Sequence, residues 1–447
     1  MKILSAEYIL PIADSPIKNG AVAIENDKII AVGEKAEITE KFPEAIHEDF
    51  GNSAIMPGFI NCHSHLELTA MRGFLDRFDD DFYSWLMKLT KTRTENLSIE
   101  DIKISAMFGA LEGVKAGITC FGDIGRLGIA GFKALKENGL RGILFQETEF
   151  SPDDKTAEID FEKLKEKFLA LKDDETNLVK IGISPHAPYT VSRKLFEKIT
   201  DYALRENIKI TIHAAESEQE KNLMQNGEGF FAKLYREQEI NWESPKCSTI
   251  EYLNNIGVLQ AKPLLAHCVK VSENDIKLIA ESQSKIAHCP KSNAKFGHGI
   301  APLEKFLDAN IVIGFGSDSM ASNNICDILE EARFAALIAR TRENKKRFIH
   351  AEEIIKTATI GGAKALNSDK EIGTLEAGKQ ADLIVISLEA VAQKPVHDIY
   401  TTLLFASGGK DVRLTMVAGE EIYRDGDSTK VDEKELAAKM KEIANKM

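Results

Sequence analysis

Eight short apolar runs, separated by long charged stretches of helical character, predict an α/β fold organised as a (β/α)8 TIM barrel. Two further observations support it: polar residues collect at the ends of those runs, and both chain ends are strand-rich without the alternation. The runs are FINCHSH (59–65), GITCFGD (117–123), GILFQET (142–148), KIGISPH (180–186), IKITIHA (208–214), PLLAHCV (263–269), KIAHCPK (285–291) and VIGFGSD (312–318). Stretches such as FEKLKEKFLALKDD and SENDIKLIAESQ lie between them. Strand alternating with helix in this way is the pattern of a closed parallel barrel. A doubly wound open sheet is the alternative, weakened because no GxGxxG opens the first unit and no phosphate loop occurs.

Over residues 1–55, Ala21-Val22-Ala23-Ile24 and Ile29-Ile30-Ala31-Val32 flank Glu25-Asn26-Asp27-Lys28, the pattern of a hairpin. Near the other end, GTLEAGKQADLIVISL (373–388) and VRLTMVAGEEIYRDG (412–426) read as short strands cut by glycine turns. Leu436, Met440, Ile443 and Met447 share one helical stripe, which predicts a packed terminal helix.

At 447 residues the length suggests about three domains. A composition of 43% hydrophobic and 28% charged residues is that of a globular protein. The formal charge of −13 repels phosphate backbones and anionic membranes, so the expected partner is a small molecule, with neither nucleic acid nor membrane involved. The cysteines (Cys62, Cys120, Cys247, Cys268, Cys289, Cys326) form no CxxC pair, which excludes a disulfide framework or a cysteine-built zinc site. With acids at Glu7 and Asp14 the N-terminus is no signal peptide, and no run reaches membrane-spanning length; a cytoplasmic protein is expected.

His63, His65, His186, His213, His267, His288 and Asp318 all fall at or near the C-terminal ends of their runs. That end of such a barrel is where chemistry is done. A single strand histidine is more often a hydrogen-bonded core residue, and His288 reads equally well that way. His47, His298, His350 and His397 lie off the pattern and read as surface or packing residues. In a strand, residues i and i+2 share a side, so His63 and His65 face the barrel axis together. With His213 and Asp318 they make three imidazoles and a carboxylate, a set for one divalent ion: zinc first, iron or manganese as alternatives. Such an ion can activate water at neutral pH. Glu216, three residues past His213, can carry a proton above that water, or it can simply open the next helix, where acids are favoured. His267 is placed to orient or polarise the water.

These motifs resemble the amidohydrolase superfamily, in order and over nearly the whole chain: PGFINCHSH, SPHAPYTVS, TIHAAE, LLAHCV, AHCPKSN, GSDSMASNN and GTLEAGKQADLIVI. The resemblance implies a barrel plus a small β-sandwich built from both chain ends. The division is then 1–56 and 366–447 for the sandwich, the latter with the terminal helix, and 57–365 for the barrel. SPHAPYTVS with GSDSMASNN is similar to the mononuclear branch of S-adenosylhomocysteine and methylthioadenosine deaminases, triazine hydrolases and aminodeoxyfutalosine deaminases. Binuclear relatives end the fourth strand with a lysine, where this chain has Ser184-Pro185-His186.

By the resemblance, His63, His65, His213 and Asp318 are metal ligands, Glu216 and His267 are catalytic with Asp318 assisting, and His186 contacts substrate. The adenosine-type branch carries a glutamate after a tryptophan to grip ribose. Here Trp85 is followed by LMKLTKTRTENLS, with Thr94 at the aligned place and Glu95 one further on. HSHLEL, with Glu67, and WLMKL look more like the aminodeoxyfutalosine deaminases of menaquinone synthesis. That substrate bears a benzoate, for which Arg72, Lys88 and Arg93 are possible cations and equally possible solvated charges. The expected function is thus hydrolytic deamination of an adenine-type nucleoside, aminodeoxyfutalosine first. S-adenosylhomocysteine or methylthioadenosine, or a triazine or guanine-type substrate, is the alternative. A barrel that kept its fold and lost its chemistry is the non-enzymatic rival, and a homo-oligomer is compatible with either.

Overall fold

The computed structural model describes residues 1–342 and 347–447. All eight apolar runs form strands: β1 Phe59–Ser64, β2 Ile118–Gly125, β3 Arg141–Glu147, β4 Val179–Ser184, β5 Thr211–Ala214, β6 Leu264–His267, β7 Lys285–His288 and β8 Ile313–Phe315. β1 to β4 form one parallel ladder and β5 to β8 another. Single parallel bridges between Ile183 and Ile210, and between Ser64 and Asp318, close the two ladders into a barrel. The strands are largely apolar and almost wholly buried because helices cover their outer faces and side chains fill the interior. Ile60, Cys62, Cys120, Ile143, Phe145 and Leu264 pack that interior, and Ala363, Leu366 and Ile372 join them.

The connecting helices start and stop where local chemistry dictates. Ser272 and Asp275 make a reciprocal capping box on Glu273–Ser282, and left-handed Gln283 ends it. Ser98 and Asp101 do the same for Ile99–Lys115. The terminal helix Glu433–Ala444 packs on Ile99–Lys115, burying Leu436 and Ile443 with Met440 and Met447 partly covered, as its stripe predicts.

Both chain ends meet in one nine-stranded sheet. Its order is Asp427–Ser428, Glu420–Arg424, Val412–Val417, Leu383–Ser387, Ser53–Pro57, Lys2–Ile9, Ile17–Glu25, Lys28–Glu34, with Ile46–Asp49 also on Lys2–Ile9. Where the resemblance implies a sandwich, these strands run as one continuous ladder, with a core drawn from both termini: Leu4, Val22, Ile55, Leu383 and Leu414 among others. The predicted hairpin pairs Glu25 with Lys28. The chain passes from sheet to barrel at Gly58, where a Cβ would lie 2.2 Å from the Thr119 side chain. Arg141, at the start of β3, donates to Asp382 (2.8 and 3.1 Å) and Glu371 (3.1 Å), tying the barrel to the segment leading into the sheet.

Candidate metal centre and pocket

At the C-terminal end of β1, Asp123 Oδ1 accepts from Ser64 Oγ (2.8 Å) and from Leu66 N (2.9 Å), pinning the turn that carries His63 and His65. His63 Nε2 lies 3.6 Å and His65 Nε2 3.7 Å from Asp318 Oδ1. His65 Nε2 and His213 Nε2 are 3.2 Å apart. Three strand ends therefore bring three imidazoles and one carboxylate oxygen together. Burial, opposed by Asp318, pushes His63 down to about 4, and burial with its histidine neighbours pushes His65 to about 3, so both are neutral at physiological pH.

Tautomers follow from the surrounding bonds. The His186 carbonyl accepts from His213 Nδ1 (3.0 Å), so His213 Nε2 carries a lone pair. Asp318 Oδ2 accepts from Ser292 (2.5 Å) and Ser322 (3.0 Å), and Oδ1 accepts from Ser319 N (2.7 Å) while facing the histidines. Burial opposes its ionisation, but the His63 ring 3.6 Å away, with His267 and His65 beside it, holds Asp318 well below the usual carboxylate range. Asp318 is left-handed at φ +56, as is His267 at φ +72; such backbone persists only where its surroundings fix it. Among the described residues, neither ring nitrogen of fully buried His63 has a hydrogen-bond partner. Unpaired nitrogens gathered around one carboxylate oxygen fit a cation, and the N and O donor set fits a borderline divalent ion.

Glu216 sits just after β5, 4% exposed. The following helix, Glu218–Asn226, is capped by Ser217, so the helix-opening acids are Glu218 and Glu220. Glu220 is itself buried, accepting from Ala215 N, Glu216 N (both 2.8 Å) and Thr249 Oγ1 (2.7 Å); it fixes the turn that presents Glu216. Glu216 Oε1 stands 3.6 Å from His267 Nε2 and 3.7 Å from His298 Nε2. Burial first, with Asp318 and Glu220 adding to it against the pull of His213, raises the Glu216 carboxyl to about 8. It carries a proton at neutral pH.

A pocket opens over these groups, with Trp85, Phe82 and Phe296 along one side and His186 and Tyr189 along another. Two guanidiniums line it. Arg93 Nη1 donates to buried Glu67 (3.1 Å), whose oxygens also accept from Arg126 N (3.3 Å) and Leu127 N (3.0 Å). Arg126 Nε donates to Glu147 (3.1 Å). Among the described residues neither arginine has another side-chain hydrogen-bond partner, so the remaining N–H groups of each are free.

Of the residues singled out from sequence, His65, His186, His213, His267, Glu67, Trp85, Glu216, Asp318 and Arg93 all line this pocket, and His63 lies directly beneath it. Arg72 does not: its guanidinium is paired with Glu112, outside the pocket. Lys88 lies over the Phe74 ring (5.2 Å) and also stays out. Thr94 and Glu95 are exposed on the helix Phe82–Glu95. His288 is buried beside Phe315 and takes no part in the lining. Two residues went unrecognised in the sequence. Arg126 lies three residues past the second run, and its position just beyond a strand end was the available signal. His298, read as surface or packing, is buried against Glu216; its place after the seventh run, between Gly297 and Gly299, was the corresponding clue.

The pattern of the amidohydrolase family matches residues 54–422, and residues 20–45 match an imidazolonepropionase-like composite domain of bacteria. A 5-methylthioadenosine/S-adenosylhomocysteine deaminase of Thermodesulfovibrio yellowstonii is 32% identical over 98% of this chain and 96% of its own. A 5'-deoxyadenosine deaminase of Methanosarcina acetivorans is 31% identical over 96% and 94%. The structure of an adenosine deaminase from Xanthomonas campestris with bound zinc superposes with a TM-score of 0.88 at 26% identity, covering 99% of this chain and 97% of that one.

Proposed function

The chain belongs to the amidohydrolase family, and from that premise we propose that it is a metal-dependent hydrolase of non-peptide C–N bonds that deaminates an adenine-type nucleoside bearing a carboxylate, aminodeoxyfutalosine first. The observation that carries this reading is the meeting of His63, His65, His213 and Asp318 beneath a protonated, buried Glu216. One divalent ion, zinc first, would be held by those four residues and would supply a water acidified enough to attack at neutral pH.

The chain's own groups account for the remaining proton movements. Glu216, protonated at rest, donates to the ring nitrogen next to the amino-bearing carbon. Asp318, ionised and held by two serine hydroxyls, accepts one proton from the attacking water and passes it to the amino group, which leaves as ammonia. The second water proton, lost as the C–O bond becomes a carbonyl, returns to Glu216. His267, with Nδ1 donating to Asn293 Oδ1 (2.9 Å), presents Nε2 to the same space. Trp85, Phe82 and Phe296 offer faces to a purine, and His186 offers a polar edge.

Arg93 and Arg126 support the choice of a carboxylated substrate. A buried glutamate fixes one edge of each guanidinium and leaves the rest to bind a planar anion. S-adenosylhomocysteine is the second reading, supported by the T. yellowstonii relative. Ammonia release from each nucleoside by the metal-loaded protein tests both. The reading predicts turnover of aminodeoxyfutalosine above S-adenosylhomocysteine and of both above 5'-deoxyadenosine; release from no adenine nucleoside would end it. Replacing Arg126 with Met should raise KM for the carboxylated substrates by roughly 10- to 100-fold, the scale of one charged hydrogen bond, and leave KM for 5'-deoxyadenosine unchanged.

A further inference from the structure

His298 lies in the loop after β7, 4% exposed, with its ring stacked on Phe296 (5.2 Å between centroids, 28°) and edge-on to Phe82 (5.3 Å, 75°). Packing alone would be served by a phenylalanine. Its Nε2 is buried with no hydrogen-bond partner among the described residues, and it is aimed at Glu216 Oε1, 3.7 Å away. That oxygen thus has two imidazoles beside it, and one residue seats both. Asn293 accepts from His267 Nδ1 through its side chain (2.9 Å) and from the His298 backbone N–H through its carbonyl (2.9 Å).

The two imidazoles differ in company. The His267 ring is 5.3 Å from His63 and 5.5 Å from His213, so it belongs to the metal cluster as well. Among the described residues the His298 ring makes no ring contact with those histidines, although His267 and Asp318 act on it through space, and Glu216 is the one carboxylate within ion-pair distance of it. Burial keeps His298 neutral, pushed down to about 3, so its ring meets the Glu216 carboxyl as an uncharged partner.

We infer that His298 is a positioning residue for the proton carrier: its Nε2 holds Glu216 Oε1, so that the carboxyl meets the substrate ring in one orientation. A carboxyl on a flexible side chain loses efficiency when its orientation is not fixed, and a neutral imidazole in an aromatic seat fixes it without adding charge. The inference rests on the proposed role of Glu216, so the test separates the two. In the metal-loaded enzyme, kcat, KM and bound metal are measured for E216Q, H298F and H298Q. H298F keeps the aromatic packing and removes the nitrogen; H298Q breaks the packing and restores an amide that can reach the same oxygen. The expected order of kcat is wild type, then H298Q, then H298F, with H298F down about 10-fold while KM and metal content stay within twofold of wild type. A purely packing role predicts H298F above H298Q, and that order would overturn the inference. Wild-type kcat in H298F beside an inactive E216Q overturns it alone; an active E216Q overturns it together with the proton-carrier role.

Discussion

Glu216 shows how position decides between two readings that spacing leaves open. An acid three residues past a strand-end histidine could open a helix, but Ser217 caps that helix and Glu218 and Glu220 occupy its first turn. Burial then raises Glu216 to about 8, and the sign of the consequence is fixed. A proton donor with a raised pKa is competent below that value and is lost as pH rises through it. The kcat profile should therefore fall on the alkaline side with a midpoint near 8, and a profile flat to pH 9.5 would contradict a donor role. Glu216→Gln should keep its metal and lose roughly 100-fold or more in kcat. The histidines at strand ends were legible because a two-residue repeat fixes which side they face. Arg93 was legible only as one cation among several, and Arg126 and His298 only as residues following a strand end, because a loop's direction depends on contacts far away in sequence. Arg72 shows the converse: its neighbour Glu112 claims it, a pairing 40 residues distant.

The barrel strands were the most readable elements, since burial on both faces leaves short, continuous apolar runs between charged helices. A helix start can be as local: Ser272 and Asp275, three residues apart, cap their helix reciprocally. Sheet order was not. The pairing of Ser53–Pro57 with Leu383–Ser387 joins segments more than three hundred residues apart, and no local pattern encodes it. Arg141 and Asp382 reinforce the same long-range junction, with side chains only 6% and 1% exposed. Removing one partner of such a pair leaves the other charge buried and uncompensated. Arg141→Ala should cost about 3–5 kcal/mol, read as a lower midpoint of urea unfolding, whereas a midpoint equal to wild type would mean the junction is held by the apolar core alone.

In the molecule as a whole, unpaired nitrogens of His63, His267 and His298 sit at one mouth of a closed barrel whose floor is apolar. Lone-pair nitrogens 3.2 Å apart repel each other unless a proton or cation lies between them. Metal binding should consequently stabilise the fold, by about 4 kcal/mol when the free ion exceeds its dissociation constant a thousandfold, seen as a rise in melting temperature reversed by a chelator. The net charge of −13 disfavours polyanions, whereas the pocket itself presents two arginines, Arg93 and Arg126, so the overall field and the local site differ in sign. Among the described residues no helix is long and apolar enough to cross a membrane. The measurement that bears most directly on the proposed four-residue metal centre is bound metal per chain in the purified protein, compared with His63→Ala and His213→Ala. One equivalent of a divalent ion in the wild type, and less than a tenth of that in each variant, is the predicted result. No metal in the wild type, or a full equivalent retained by both variants, would contradict it.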